Sequence, residues 1–154
     1  MNKKIIALSF LFFGIILLSG CANDSTAKPA GLQNANMTNE NKIKPDKVEI
    51  FLFHATQRCA TCNAIGKLSK ETVYEFYQPE LRDGKIDFRE INIDLPENKE
   101  LARQFQASGS ALKINVIYDN ENHISEDFTV WRLTSNPAQF KNYLKNKLNN
   151  ILGE

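Results

Sequence analysis

The chain has 154 residues, 19 of them Lys or Arg and 18 Asp or Glu, for a formal net charge of +1. That balance gives no electrostatic reason to expect a nucleic-acid partner, and 7 glycines and 5 prolines are too few for a collagen-like or low-complexity chain. Three cysteines cannot build a disulfide framework; one closes an apolar leader, and the other two stand three positions apart.

In chain order, Lys3 and Lys4 precede an almost unbroken apolar run over 5–18. Its length suits a signal-peptide core and is short for a membrane span. Leu18-Ser19-Gly20-Cys21 resembles the lipobox of bacterial lipoproteins. The resemblance implies a signal peptide over 1–20, cleavage before Cys21, and acyl chains such as palmitate on the new terminal residue. An uncleaved signal anchor is the alternative. Each buried CH₂ contributes about 0.8 kcal/mol, so several chains hold a small domain at a bilayer. Ala22 at the second mature position implies an outer membrane if the cell is Gram-negative. Residues 21–45 lack apolar periodicity and read as a lipidated cysteine with a flexible tether, spanning roughly 25–30 Å on average. Residues 46–154 are enough for one compact domain.

Within that domain, 48–53 is a short run of β-branched and aromatic residues and reads as a buried strand. After the cysteine pair, Ile65, Leu68, Thr72, Val73 and Phe76 recur at spacings of three and four, which predicts a helix over 63–77. Pro79 and Asp83-Gly84 mark its break. Residues 86–93 alternate as a second strand. Pro96 suits a helical first turn, with Leu101, Ala102 and Phe105 as a buried stripe and 108–110 as the end. A third strand is expected over 112–118, a turn over 119–122 and a fourth strand over 128–133, carrying Trp131 into the core. Asn136-Pro137 opens a closing helix whose apolar stripe includes Phe140, Leu144 and Leu148. The order β-α-β-α-β-β-α predicts an α/β thioredoxin-like fold: a mixed four-stranded sheet with helices on both faces.

Cys59-Ala60-Thr61-Cys62 falls at the strand–helix junction, the position of a thioredoxin-like redox pair. A cysteine at a helix start meets unpaired backbone N–H groups and the positive dipole end, so its thiol pKa falls below the free value of about 8.5. The second cysteine, one turn on, can resolve a mixed disulfide. Cys59 is therefore the expected attacking thiol and Cys62 the resolving one. Arg58 can add positive charge, and His54 can hold a proton or make only a local hydrogen bond. Three other readings stand beside this one: half a zinc site, a permanently oxidised structural disulfide, and a binding module with incidental cysteines. A zinc site usually needs four ligands, whereas the chain has no second CxxC and only His54 and His123 as histidines.

The stretch from Val48 through His54-Ala55-Thr56-Gln57-Arg58 to Cys62, together with Ile91-Asn92-Ile93-Asp94 and Ser135-Asn136-Pro137, resembles a small group of bacterial thioredoxin-like proteins. That group is labelled nitrophenyl compound nitroreductase subunit and often carries a lipoprotein signal. The resemblance implies a thioredoxin-like fold and electron transfer to a partner through the cysteine pair. Ala111 stands where thioredoxins place a cis-proline facing the pair. A cis bond before a residue other than proline costs about 3–4 kcal/mol, so a trans bond is expected there. No glycine-rich nucleotide fingerprint is present, and no cofactor is expected. The expected function is thiol–disulfide exchange or electron transfer by an envelope-tethered monomer, with a protein thiol or disulfide as partner. The alternative is a non-catalytic partner, or a metal- or thiophile-binding subunit of a reductase system.

Overall fold

The computed structural model describes residues 43–154. The expected signal peptide, Cys21 and nearly all of the tether lie outside the described residues. Strand β1 (Lys47–His54) is followed by helix α1 (Ala60–Phe76), the short helix α2 (Gln78–Arg82) and strand β2 (Ile86–Asn92). A 3-10 turn (Pro96–Asn98) leads into α3 (Lys99–Gln104). Strands β3 (Ala111–Tyr118) and β4 (Glu121–Glu126) form a hairpin, and α4 (Val130–Leu133) and α5 (Pro137–Leu152) complete the chain.

The sheet has the order β2-β1-β3-β4. β1 runs parallel to β2 and antiparallel to β3, while β4 is antiparallel to β3. Parallel neighbours need a long crossover, and α1 with α2 provides it. A βαβ unit followed by a ββα unit in this strand order is a thioredoxin-like fold, as the order of elements predicted.

β1 has neighbours on both edges and helices over both faces, so its alternate side chains feed two cores. Val48, Ile50 and Leu52 pack with Ile65, Leu68 and Val73 of α1 and with Phe140, Leu144, Leu148 and Leu152 of α5. Phe51 and Phe53 face the other way, onto Ile91, Ala102 and Phe105, with the Phe51 and Phe105 rings 4.5 Å apart. Helix α3 is too short to cover that whole face. Its open end carries a polar lattice instead: Arg89 lies over the Phe51 ring at 4.3 Å and pairs with Glu49 and Asp87. Buried Lys113 pairs with Glu126 across the hairpin at 2.8 Å, which helps pin the register of the edge strand.

The fourth strand is not at 128–133. The hairpin turn needs only Asp119 and Asn120, both with positive φ (49° and 65°), the geometry of a tight two-residue loop. β4 therefore starts at Glu121, and its sequence ENHISE is almost wholly exposed, so no apolar alternation announces it. The apolar stretch that follows becomes the one-turn helix α4 because Asp127 caps it. The buried Asp127 carboxylate accepts the N–H groups of Thr129 (2.9 Å) and Val130 (3.4 Å), the Tyr143 hydroxyl (2.9 Å) and Lys147 Nζ (2.8 Å). That set ties the turn to α5. Trp131 still packs against the core, but from a helix, while Phe128 is 65% exposed.

Two smaller departures have similar causes. Pro79 does not end helical structure; it sits in the first turn of α2, where a missing N–H leaves nothing unpaired. Helix α3 ends before 108–110, because Gln106 turns left-handed (φ 51°) and the Ala107 N–H bonds back to the Ala102 carbonyl at 2.8 Å.

The joint between α1 and α5 is closed by Tyr77, buried to 2% exposure at the end of α1. Its hydroxyl lies 2.6 Å from Asn149 Oδ1 and 2.8 Å from the Lys145 carbonyl. Burial first, and then the nearby charges of Glu154 and Glu80, push the phenol well above its ordinary pKa, so it stays a donor. Tyr77→Phe is expected to lower stability by about 1–2 kcal/mol, since the ring is kept while half-buried acceptors lose their donor. Urea denaturation at unchanged m-value measures this; an unshifted midpoint would remove the hydroxyl from the account of the joint.

Candidate redox site

The loop 55–58 leaves the C-terminal ends of the parallel pair β1 and β2, and α1 begins immediately after it. Cys59 is the N-cap residue of α1, with extended backbone (φ −71°, ψ 163°), and its Sγ accepts the Cys62 N–H at 3.1 Å. Cys59 and Cys62 form a disulfide with their Cα atoms 5.0 Å apart. Cys59 is exposed and Cys62 half-buried. A helix of 17 residues with no acidic side chain in its first turn leaves its positive end free to act on a thiolate at Cys59. The arrangement supports dithiol–disulfide chemistry, with the exposed sulfur placed for attack and the inner one behind it.

The loop itself is held by the end of β2, through residues the sequence reading did not assign to the site. Glu90, Asn92 and Asp94 recur every second position. Asp94 Oδ2 accepts the Thr56 N–H at 2.7 Å, and Asn92 Nδ2 donates to the Thr56 hydroxyl at 3.0 Å. Hydrogen bonding from Thr56, its backbone N–H first and its side chain second, with smaller help from Lys99 and His54, holds the exposed Asp94 carboxyl below its ordinary value of 3.8. Two residues on, Arg58 Nη1 donates to Glu90 Oε2 at 3.3 Å and Nη2 to the Cys62 carbonyl at 3.4 Å. Lys70 shares the same carboxylate, with Nζ 3.6 Å from Glu90 Oε1.

The remaining predicted residues take these places. His54 ends β1, half-buried, and its Nδ1 lies 2.9 Å from the Ala55 carbonyl, which is the local hydrogen bond. Ala111 opens β3 opposite Phe53 and is 6% exposed; the described backbone has no cis peptide bond. His123 is exposed on β4 against the Tyr118 ring. Among the described residues, no group of three or more His, Cys, Asp or Glu is placed to hold a metal ion.

Against known proteins, the chain matches no family model and no curated protein. Among solved structures it is similar to a thioredoxin from Thermus thermophilus at 16% identity and TM-score 0.43, over 68% of this chain and 76% of that one. It is also similar to thioredoxin O2 from Arabidopsis thaliana in the oxidized state, at 17% identity and TM-score 0.40, over 61% and 75%. A third is the Fasciola hepatica thioredoxin, at 16% and TM-score 0.40, over 62% and 83%. At TM-scores under 0.5 these likenesses carry no argument. The fold assignment rests on the strand order and pairing above.

One glycine explains how Arg58 reaches across α1. A Cβ on Gly66 would stand 2.5 Å from Arg58 Nη2 and 2.7 Å from Leu52 Cδ2. Its sequence signal was a glycine inside an apolar-periodic helix, which marks close packing. In a helix interior, Gly→Ala ordinarily gains about 1 kcal/mol, but overpacking costs about 1–3 kcal/mol, and Leu52 belongs to the buried core. Gly66→Ala is therefore expected to lose about 1 kcal/mol net in thermal or urea unfolding. A stabilised variant would show that Arg58 and Leu52 yield freely.

Proposed function

We propose that this chain is a thiol–disulfide oxidoreductase, tethered by a lipid on Cys21 to the periplasmic or extracytoplasmic face of a cell-envelope membrane. The observation that carries the redox part is the placement of Cys59 Sγ at the N-cap of α1, bonded to the Cys62 N–H and exposed, with Cys62 recessed behind it. Acting as a reductant, the Cys59 thiolate attacks one sulfur of a partner disulfide, forming a Cys59–partner bond and releasing the partner's other sulfur as a thiolate. The Cys62 thiol loses its proton and attacks Cys59 Sγ, forming the intramolecular disulfide and releasing the second partner thiolate. Two electrons pass to the partner, and protons from the medium complete its thiols. The reverse sequence oxidises a partner dithiol. In an oxidising envelope the disulfide form accumulates unless a donor regenerates the dithiol.

The full-length protein is expected to catalyse disulfide exchange with insulin or DTNB. Cys59→Ala abolishes it, and Cys62→Ala accumulates a mixed disulfide through Cys59. Wild-type rates in both variants would sink the proposal. The reduction potential then sets direction: about −270 mV marks a reductant and about −120 mV an oxidant.

The anchor rests on the sequence Leu18-Ser19-Gly20-Cys21. In a bacterial host, Cys21→Ser is expected to lose metabolic palmitate labelling and retain the leader. Labelling that persists without Cys21 would place the acyl chains elsewhere, and no labelling of the wild type would refute the anchor.

A further inference from the structure

Two charged residues beside the pair have no part in the exchange steps above. Arg58 precedes Cys59, yet its guanidinium folds back over α1 rather than out to solvent. Its side chain is 21% exposed, and its Nε is buried without a hydrogen-bond partner. Gly66 leaves the space it occupies. The Cys62 residue is thereby held at both ends of its backbone: the N–H on Cys59 Sγ at 3.1 Å, the carbonyl on Arg58 Nη2 at 3.4 Å. The guanidinium lies one residue's backbone away from the sulfur that becomes negative when the pair is reduced. Being half-buried, it is screened less by salt than a surface charge. Its counter-charge, Glu90, is also bound by Lys70.

We propose that Arg58 is the positioning residue that tunes the reactivity of Cys59, and that Glu90 meters how much of the Arg58 charge the cysteine receives. This rests on the thiol–disulfide reading. Reduction adds two electrons, and Cys59 then carries a negative charge in its thiolate form. The guanidinium favours that charge, and Glu90 opposes it, both by its own field and by compensating Arg58. The two residues therefore act with opposite signs on one group. A simple brace behaves differently, because removing either partner breaks the same salt bridge and gives effects of the same sign.

Other charged groups on the elements that meet at the site include His54 at the end of β1, Asp94 after β2, Lys99 on α3, and Lys67, Lys70 and Glu71 on α1. Asp94 is engaged by Thr56, and Lys67 stands 3.9 Å from Glu71. Lys70 shares the Glu90 carboxylate, so Glu90→Gln also frees its charge, which acts in the same direction as Arg58; the other groups named are not bound to Arg58 or Glu90.

The test is the pH profile of Cys59 alkylation in the reduced full-length protein, with thermal unfolding in parallel. Arg58→Gln is expected to raise the Cys59 midpoint by about half a unit, roughly threefold less thiolate at a fixed pH below it. Glu90→Gln is expected to lower it by a similar amount, and Arg58→Lys to recover part of the Arg58→Gln shift. Shifts of the same sign in Arg58→Gln and Glu90→Gln, or no shift in either, overturn the proposal. Should Arg58→Gln not fold, Glu90→Gln decides alone: a lowered midpoint supports metering, and a raised or unchanged one refutes it. Insulin exchange by the wild type is measured beside the titration. Absent exchange with opposite-signed shifts would refute the oxidoreductase reading and leave the charge pair standing, while normal exchange with same-signed shifts would do the reverse.

Discussion

Strand β1 is paired on both edges and covered on both faces, and that double burial fixes where the cysteine pair stands. A strand so placed cannot slip by one residue, because the slip would exchange the Val48, Ile50 and Leu52 row with the Phe51 and Phe53 row, and the two cores differ in size and shape. Burying each of these large side chains is worth about 1.5–3 kcal/mol. The end of β1 at His54 is consequently fixed relative to β2, with Asn92 in register beside it. The loop that carries Thr56, Arg58 and Cys59 starts from that fixed point, and its latches come from the neighbouring strand.

The same constraint assigns different work to the two ends of the sheet. At the C-terminal ends of the parallel pair, backbone groups are free to meet a helix N-terminus, and the cysteines occupy that corner. At the far edge, β4 has little apolar surface to contribute. It is held instead by the tight Asp119–Asn120 turn, by the Lys113–Glu126 pair and by Asp127 beyond its end. Polar interactions there replace the packing that a longer α3 would have supplied.

What could be read from the sequence follows this division. β1, the hydrophobic stripe of α1 and the capped closing helix were legible because apolar burial leaves a period in the sequence, and Asn136 caps α5 by accepting the Gln139 N–H at 3.1 Å. β4 was not legible, since an exposed edge strand of polar residues carries no such period. The segment 128–133 read as a strand because FTVWRL is mostly apolar and partly β-branched; the capping by Asp127, which depends on Tyr143 and Lys147 arriving from α5, is tertiary information. The cysteines were visible from their spacing. Glu90 and Asp94 were not assigned to the site, because on a strand they resemble any solvated charge, and their partners Arg58 and Thr56 lie more than thirty positions away.

The latches also bear on whether this disulfide is a staple. A link between residues 59 and 62 closes a very short loop, and in the chain-entropy picture short loops constrain the unfolded chain least; a 15-residue loop gives about 3 kcal/mol, and this one gives less. Nor is the sulfur–sulfur bond the loop's only tie. Thr56 is held by Asp94 and Asn92, and Arg58 by Glu90 and the Cys62 carbonyl, through contacts in which neither sulfur takes part. The Asp94 carboxyl has its pKa depressed by Thr56, so its stabilising share is present above the ordinary value of 3.8 and fades only as the pH falls through the lower folded value. At neutral pH the latch is fully engaged. A bond that adds little to folding, in a loop with other contacts to hold it, suits a redox pair better than a structural cross-link.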